Sequence, residues 1–310
     1  MQATTNISRA LRLMWRERRL WPAALVVTWS GSLAEVELLR QSVDFGEPGL
    51  PVRLVQAMFG SGLLSGRGAQ GFVDQVRNDP LAVGKVALVW GIVVGVLAAL
   101  TWISVVGQAA MVHGAAFAAA NRPIPLATGW VEGRRRFWTV LGLNVIAKVA
   151  VVGVLAALIP ISSGPLAVFA GAFVVAAVLA FAVLAWLKLA VAAAVLEHRS
   201  LLRAARRGFY MLTAEWHDAV ALVASLAVLT FALFTLLMIV VVLALMPFLL
   251  VLGAAQLLQF TAGARVYVIL SWLVMAAIAA FGLLLIGGVH WVCWTTLYAK
   301  AAAGRRESGR

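Results

Sequence analysis

The chain has 310 residues, 63% of them hydrophobic and 12% charged. A soluble domain is about 45–50% apolar and about 25% charged, so this composition excludes a soluble enzyme and a disordered chain, and the single cysteine, Cys293, excludes a disulfide scaffold. A formal charge of +13 elsewhere suggests a nucleic-acid binder, but in a chain this apolar it has to be resolved segment by segment.

Residues 1–19 read as a basic arm. Arg9, Arg12, Arg16 and Arg19 are spaced by 3, 4 and 3, which puts them on one face of a helix opened by Ser8, with Ile7, Ala10, Leu11, Met14 and Trp21 opposite. A basic amphipathic helix beside a span is expected to lie in the membrane interface, apolar side down.

Beyond the arm come runs long enough to cross hydrocarbon, which takes about 20 apolar residues. Backbone groups cannot stay unpaired in lipid, so these runs are predicted to be helices. The expected fold is all-α and polytopic, a single membrane domain over 20–300. Its six spans are 20–39, 81–120, 137–159, 166–196, 218–246 and 266–300, followed by a basic tail, 301–310.

Local chemistry marks several span ends. Asp79-Pro80 supplies an N-cap and a first-turn proline to the second span. Asn121-Arg122-Pro123 ends it, because the residue before proline avoids the helical region. Pro160 ends the third, and Ser163-Gly164-Pro165 opens the fourth. The second run is about 60 Å long as a helix, so it either tilts and projects or breaks near Gly107. The stretch 247–259 either continues the fifth helix past Pro247 or forms a short re-entrant piece. Residues 1–34 also carry the outline of a signal peptide, with a small-x-small site at Ser32-Leu33-Ala34. Its long basic start favours a retained span instead.

The charges sort by loop. The arm, the segment from Arg122 to Arg136, the segment from Glu197 to Asp218 and the tail hold 17 of the 25 basic and six of the 12 acidic residues. The loop 40–80 and the other outer ends hold six of each, and Lys148 and Lys188 fall inside spans. Basic and neutral loops alternate, the positive-inside pattern with an even number of spans and both termini cytoplasmic. Arg199, Arg203, Arg206 and Arg207 share one face of a second amphipathic helix, with Leu201, Ala205, Phe209 and Leu212 on the other. Arg9, Arg12, Arg16, Arg19, Arg134, Arg135, Arg136, Arg203, Arg206 and Arg207 are candidates for an anionic-lipid surface. Alternatively, the charges only set topology. Trp15, Trp21, Trp130, Trp138 and Trp216 fall at the same boundary, as interfacial anchors do.

Polar groups inside spans are costly, about 2.5–3.5 kcal/mol for a central lysine, and are candidate functional residues by default. Lys148 lies near the middle of the third span with Asn144 one turn earlier. Lys188, His113 and His290 lie in the inner halves of the fourth, second and sixth. If these faces turn inward, the five residues form a polar cluster suited to an anionic headgroup or small anion, with Glu35 available to pair with Lys148. The competing reading is snorkelling by Lys188 and interhelical hydrogen bonding by the others. His113 and His290 would ligate a b-type haem only by facing one gap at equal depth, and no cofactor or metal is expected. Gly66 to Gly71 matches G-x-G-x-x-G but follows no strand, so it reads as a flexible loop. Gly91-x-x-x-Gly95 permits close helix approach. Metalloprotease, phosphate-loop and serine-hydrolase signatures are missing from the sequence, so catalysis is not expected.

Two loops enter spans through aromatics: Pro125-Leu126-Ala127 through Arg134-Arg135-Arg136-Phe137-Trp138, and Leu196-Glu197-His198 through Arg203-Ala204-Ala205 to Trp216. With Arg18-Arg19-Leu20-Trp21 and Trp294-Thr295-Thr296-Leu297-Tyr298, they resemble the membrane domain of bacterial glycerophosphoryl diester phosphodiesterases and related six-span proteins. No soluble stretch is long enough for that family's catalytic barrel. The resemblance therefore implies a module of the bacterial cytoplasmic membrane without the phosphodiesterase, and it carries over no functional residues. The two loops also resemble each other at an offset of 77–78, a sign of internal duplication. The expected function is non-enzymatic: a scaffold, accessory subunit or membrane-organising module. The alternative is a carrier or binding protein for a lipid or small anion. Expected partners are the bilayer, anionic phospholipids and a membrane-protein partner or second copy, with no nucleic acid.

Overall fold

The computed structural model describes residues 2–28, 80–120, 122, 126–158, 161, 165–257 and 261–308. They are helical almost throughout. Helix α1 (Gln2–Arg16) leads through a 3-10 turn, Arg18–Leu20, into α2 (21–28). Then come α3 (Pro80–Ala119), α4 (Leu126–Arg135), α5 (Phe137–Ala156), α6 (Leu166–Leu196), α7 (Leu201–Ala214), α8 (Trp216–Leu257) and α9 (Thr261–Ser308). Five of these, α3, α5, α6, α8 and α9, are long and apolar enough to cross a membrane. The protein is therefore an all-α, multi-pass membrane protein. Most of the first expected span lies outside the described residues, as do Glu35, the glycine-rich loop and the outer loop 40–80.

The punctuation in the sequence does its work. Helix α3 starts at Pro80 and stops at Ala119, just before the Asn121-Arg122-Pro123 signal. It runs through Gly107 without a break. Helix α8 likewise continues through Pro247 to Leu257, so this stretch extends the fifth helix instead of forming a separate piece. A proline inside a lipid-embedded helix is tolerated because local adjustments satisfy the carbonyl it frees.

The chain divides into two compact units, Met1–Trp29 with Val105–Val151 and Val178–Arg310, and Ser30–Ser104 with Val152–Ala177. In the second, the described helical stretches leave most of their apolar side chains exposed, among them Leu88, Trp90, Ile92, Val174 and Val175. Gly91 and Gly95 face open space, with no atom near a Cβ built there.

The first unit holds the core. Residues 189–195 of α6 are buried on every side of the helix, including Ala190, Ala192, Ala193 and Ala194 with no exposure at all. A helix enclosed all round needs small side chains, because neighbouring backbones then come close enough for dense van der Waals packing. Around it lie Met111 and Val112 of α3, Val140 and Leu143 of α5, Leu222 and Leu226 of α8, and Val289, Val292 and Tyr298 of α9.

The arm completes this core. Ala10 and Met14 of α1 are fully buried, and Ile7 and Leu11 pack beside them. The face expected to enter lipid is covered by protein. Gly287 and Gly288 of α9 provide the seat: a Cβ on either would collide with Thr28 or with the Met14 methyl and sulfur. The indole Nε1 of Trp21 donates to the Met14 carbonyl at 2.8 Å, tying the turn to the end of α1.

Candidate functional site

Two short helices stand between the spans in the chain, α4 before α5 and α7 before α8. Each is seated through glycine. A Cβ on Gly133 would fall 2.6 Å from the Val106 carbonyl of α3. One on Gly208 would fall 2.7 Å from the Ala190 backbone nitrogen of α6. The repeated order of long span, seated amphipathic helix and span is the architectural counterpart of the loop resemblance in the sequence. Residues 201–214 bury Ala204, Gly208 and Met211, while Phe209 is exposed. Leu201, Ala205 and Leu212 of the expected stripe also pack against the core, half-buried, so the most deeply buried line is offset from that stripe by one residue and leaves Phe209 outside. Close backbone approach at Gly208 centres the contact on that line.

Beside these helices sit two acid-centred clusters. Glu132 of α4 accepts from Arg136 Nε at 3.3 Å and pairs with His198 Nδ1 at 3.1 Å. Glu197, at the end of α6, accepts from the Tyr298 hydroxyl of α9 and from Arg199 Nε, with Arg207 Nε of α7 3.6 Å away. Between Glu197 and Arg199, His198 has a φ of 53°. This left-handed turn, which histidine enters more readily than most residues, reverses the chain so that Arg199 meets Glu197. Burial works against charge on Glu197, but the Tyr298 and Arg199 hydrogen bonds and the Arg207 and Arg199 guanidinium groups outweigh it and hold its pKa below the ordinary value. The lock joins α6, α7 and α9.

Inside the spans, the residues expected to form one polar cluster are distributed over three places and one outer face. Asn144 and Gln108 form a reciprocal amide pair, Asn144 Nδ2 donating to Gln108 Oε1 at 2.7 Å and Gln108 Nε2 to Asn144 Oδ1 at 3.3 Å. Asn144 also donates to the Val140 carbonyl at 2.8 Å. Lys148, one turn on, is exposed, because the boundary between packed and outer faces of α5 runs between the two residues. Lys188 of α6 lies 3.4 Å from His290 Nδ1 of α9, whose Nε2 lies 2.9 Å from Thr230 Oγ1 of α8. An ammonium only donates, so with Lys188 charged Nδ1 accepts and Nε2–H donates to the threonine. His113 packs its ring on Phe117 at 4.7 Å between centroids, and its buried Nε2 has no hydrogen-bond partner among the described residues. The two histidines keep different partners.

The sequence reading passed over Gln108, Thr230, Tyr298 and the two glutamates. A usable signal existed for the acids, since Glu132 is the lone acid in one basic loop and Glu197 opens the other. Among the lipid-surface candidates, Arg136 and Arg207 are engaged by these acids, while Arg12, Arg16, Arg134, Arg135, Arg203 and Arg206 are exposed. Arg9 and Arg19 fall among the side chains that are not described. Comparison with family models, curated proteins and solved structures returns no match.

Proposed function

We propose that the chain is a non-enzymatic membrane module, a scaffold or accessory subunit that organises other membrane components, with both termini in the cytoplasm. One observation carries this reading. The polar side chains of the spans are divided among separate helix–helix contacts: Asn144 with Gln108, and Lys188 with His290 and Thr230, while Lys148 lies outside the packing. Residues spent on interhelical bonds hold a bundle together. Long exposed apolar faces on α3 and α8 leave surface for lipid or for the helices of a partner.

The test is purification in mild detergent followed by mass spectrometry of proteins and lipids together. A stoichiometric membrane protein, or a stable second copy, supports the proposal. A chain that purifies alone, and whose reconstituted vesicles pass a small anion until Lys188→Met is introduced, refutes it. That outcome favours the second reading, a carrier, for which the Lys188, His290 and Thr230 contact across three helices is the supporting feature.

A further inference from the structure

The arginines of α4 and α7 divide by what they touch. Arg136, Arg199 and Arg207 serve Glu132 and Glu197. Arg134, Arg135 and Arg206 are exposed, and no carboxylate lies within ion-pair distance of them among the described residues. Glu132 and Glu197 are thus engaged by other arginines, and these outward charges have no carboxylate partner among the described residues. The same helices and the first turn of α5 also expose large apolar groups: Trp138 is 79% exposed, Leu202 78% and Phe209 62%. Water is a poor medium for such side chains, whereas the headgroup layer suits an aromatic ring and a guanidinium side by side. A soluble polyanion would meet the arginines and leave the tryptophan and leucine wet.

Gly133 and Gly208 seat α4 and α7 by backbone contact on Val106 of α3 and Ala190 of α6, so the exposed arginines and apolar groups are carried on rigidly held helices that lead into α5 and α8. We propose that Arg134, Arg135 and Arg206, with Trp138, Leu202 and Phe209, form a rim that binds phosphate-bearing anionic phospholipid headgroups in preference to zwitterionic ones. The proposal rests on the reading of the basic segments as lying on one side of the membrane. It does not depend on whether the module has a protein partner.

The full-length protein is reconstituted in phosphatidylcholine vesicles containing brominated phosphatidylglycerol or, in parallel, brominated phosphatidylcholine. Quenching of Trp138 fluorescence, taken as the difference between the protein and its Trp138→Phe variant because the chain has 12 tryptophans, then measures which lipid occupies the rim. Near an anionic surface each arginine contributes up to about a fivefold preference. The wild type is expected to favour the glycerol lipid several-fold, weakening with salt. The triple variant R134Q/R135Q/R206Q loses that preference, and R134K/R135K/R206K keeps it. Equal quenching by the two lipids in the wild type, or an unchanged preference in the glutamine variant, overturns the proposal. So does displacement by millimolar inorganic phosphate, which assigns the arginines to a free anion. If the glutamine variant fails to fold, the wild-type lipid comparison and the salt dependence still decide. An absence of protein partners on purification would count against the scaffold reading and leave this rim untouched.

Discussion

Replacing Gly208 with alanine tests whether backbone contact holds α7 in place. The added Cβ would stand 2.8 Å from the Cα of Ala190 and 2.7 Å from its nitrogen. Carbon atoms prefer separations of about 3.5–4.0 Å, so α7 has to move out by roughly 0.7 Å, and no flexible side chain is available to yield instead. Overpacking of this kind costs about 1–3 kcal/mol. Alanine also gains about 1 kcal/mol over glycine in helix propensity, which a control has to cancel. Gly153→Ala provides it, because nothing lies within 4 Å of the added methyl. Gly142→Ala is an intermediate case, since its methyl meets only the Leu201 side chain, 3.1 Å away. Reversible unfolding of the protein in mixed detergent micelles, titrated with a denaturing detergent, gives the three stabilities. The expected order is Gly153→Ala, then Gly142→Ala, then Gly208→Ala, with about 1–3 kcal/mol between first and last. A Gly208→Ala protein as stable as Gly153→Ala would refute the argument that backbone approach fixes α7.

Other expectations follow from the polar contacts. Lys148→Met should fold in equal or higher yield with unchanged partners and lipids, because the lysine lies outside the packing and its insertion cost, about 2.5–3.5 kcal/mol, disappears; a loss of partners or bound lipid would return Lys148 to the functional site. A double-mutant cycle of Asn144→Leu with Gln108→Leu should give a coupling of about 0.6 kcal/mol, with about 1.7 as an upper bound, and additive losses would mean the pair is not formed. The Glu197 lock makes a signed pH prediction. Its pKa is depressed in the fold, so the stabilisation is complete above the ordinary carboxylate value of 4.5 and drains away as pH falls through the lower folded value. The stability difference between the protein and Glu197→Gln should be flat from pH 7 to 5 and shrink in stronger acid; a difference that stays constant across that range would contradict the lock.

Much of the fold was legible because membrane helices announce their own ends. Pro80, the pair Arg122-Pro123 and Pro165 bound the helices where backbone chemistry says they should. Which side of each helix packs was far less legible. Lipid tails are as apolar as a protein core, so hydrophobicity does not mark the buried face. Asn144 and Lys148 sit one turn apart and read as one polar face, yet one is packed and the other exposed. On α7 the expected stripe was legible at Leu201, Ala205 and Leu212, which pack, but not at Phe209, which is exposed, and the tightest contact falls on Gly208, a residue that carries no apolar surface to count. The acids Glu132 and Glu197 were read as charge balance in basic loops. Their role depends on Tyr298 and His198, which no spacing rule connects to them.

The seat for Met14 and Thr28 at Gly287 and Gly288 also sets a timetable for biosynthesis. The arm is made first, and the glycines that receive it are made about 270 residues later. At about 5–20 residues per second, the arm waits roughly 14–54 seconds for its seat. During that interval Met14 and Ala10, fully buried in the finished molecule, have no partner surface. The order of synthesis therefore leaves the apolar face of α1 uncovered until the last two helices, which bury it, have been made.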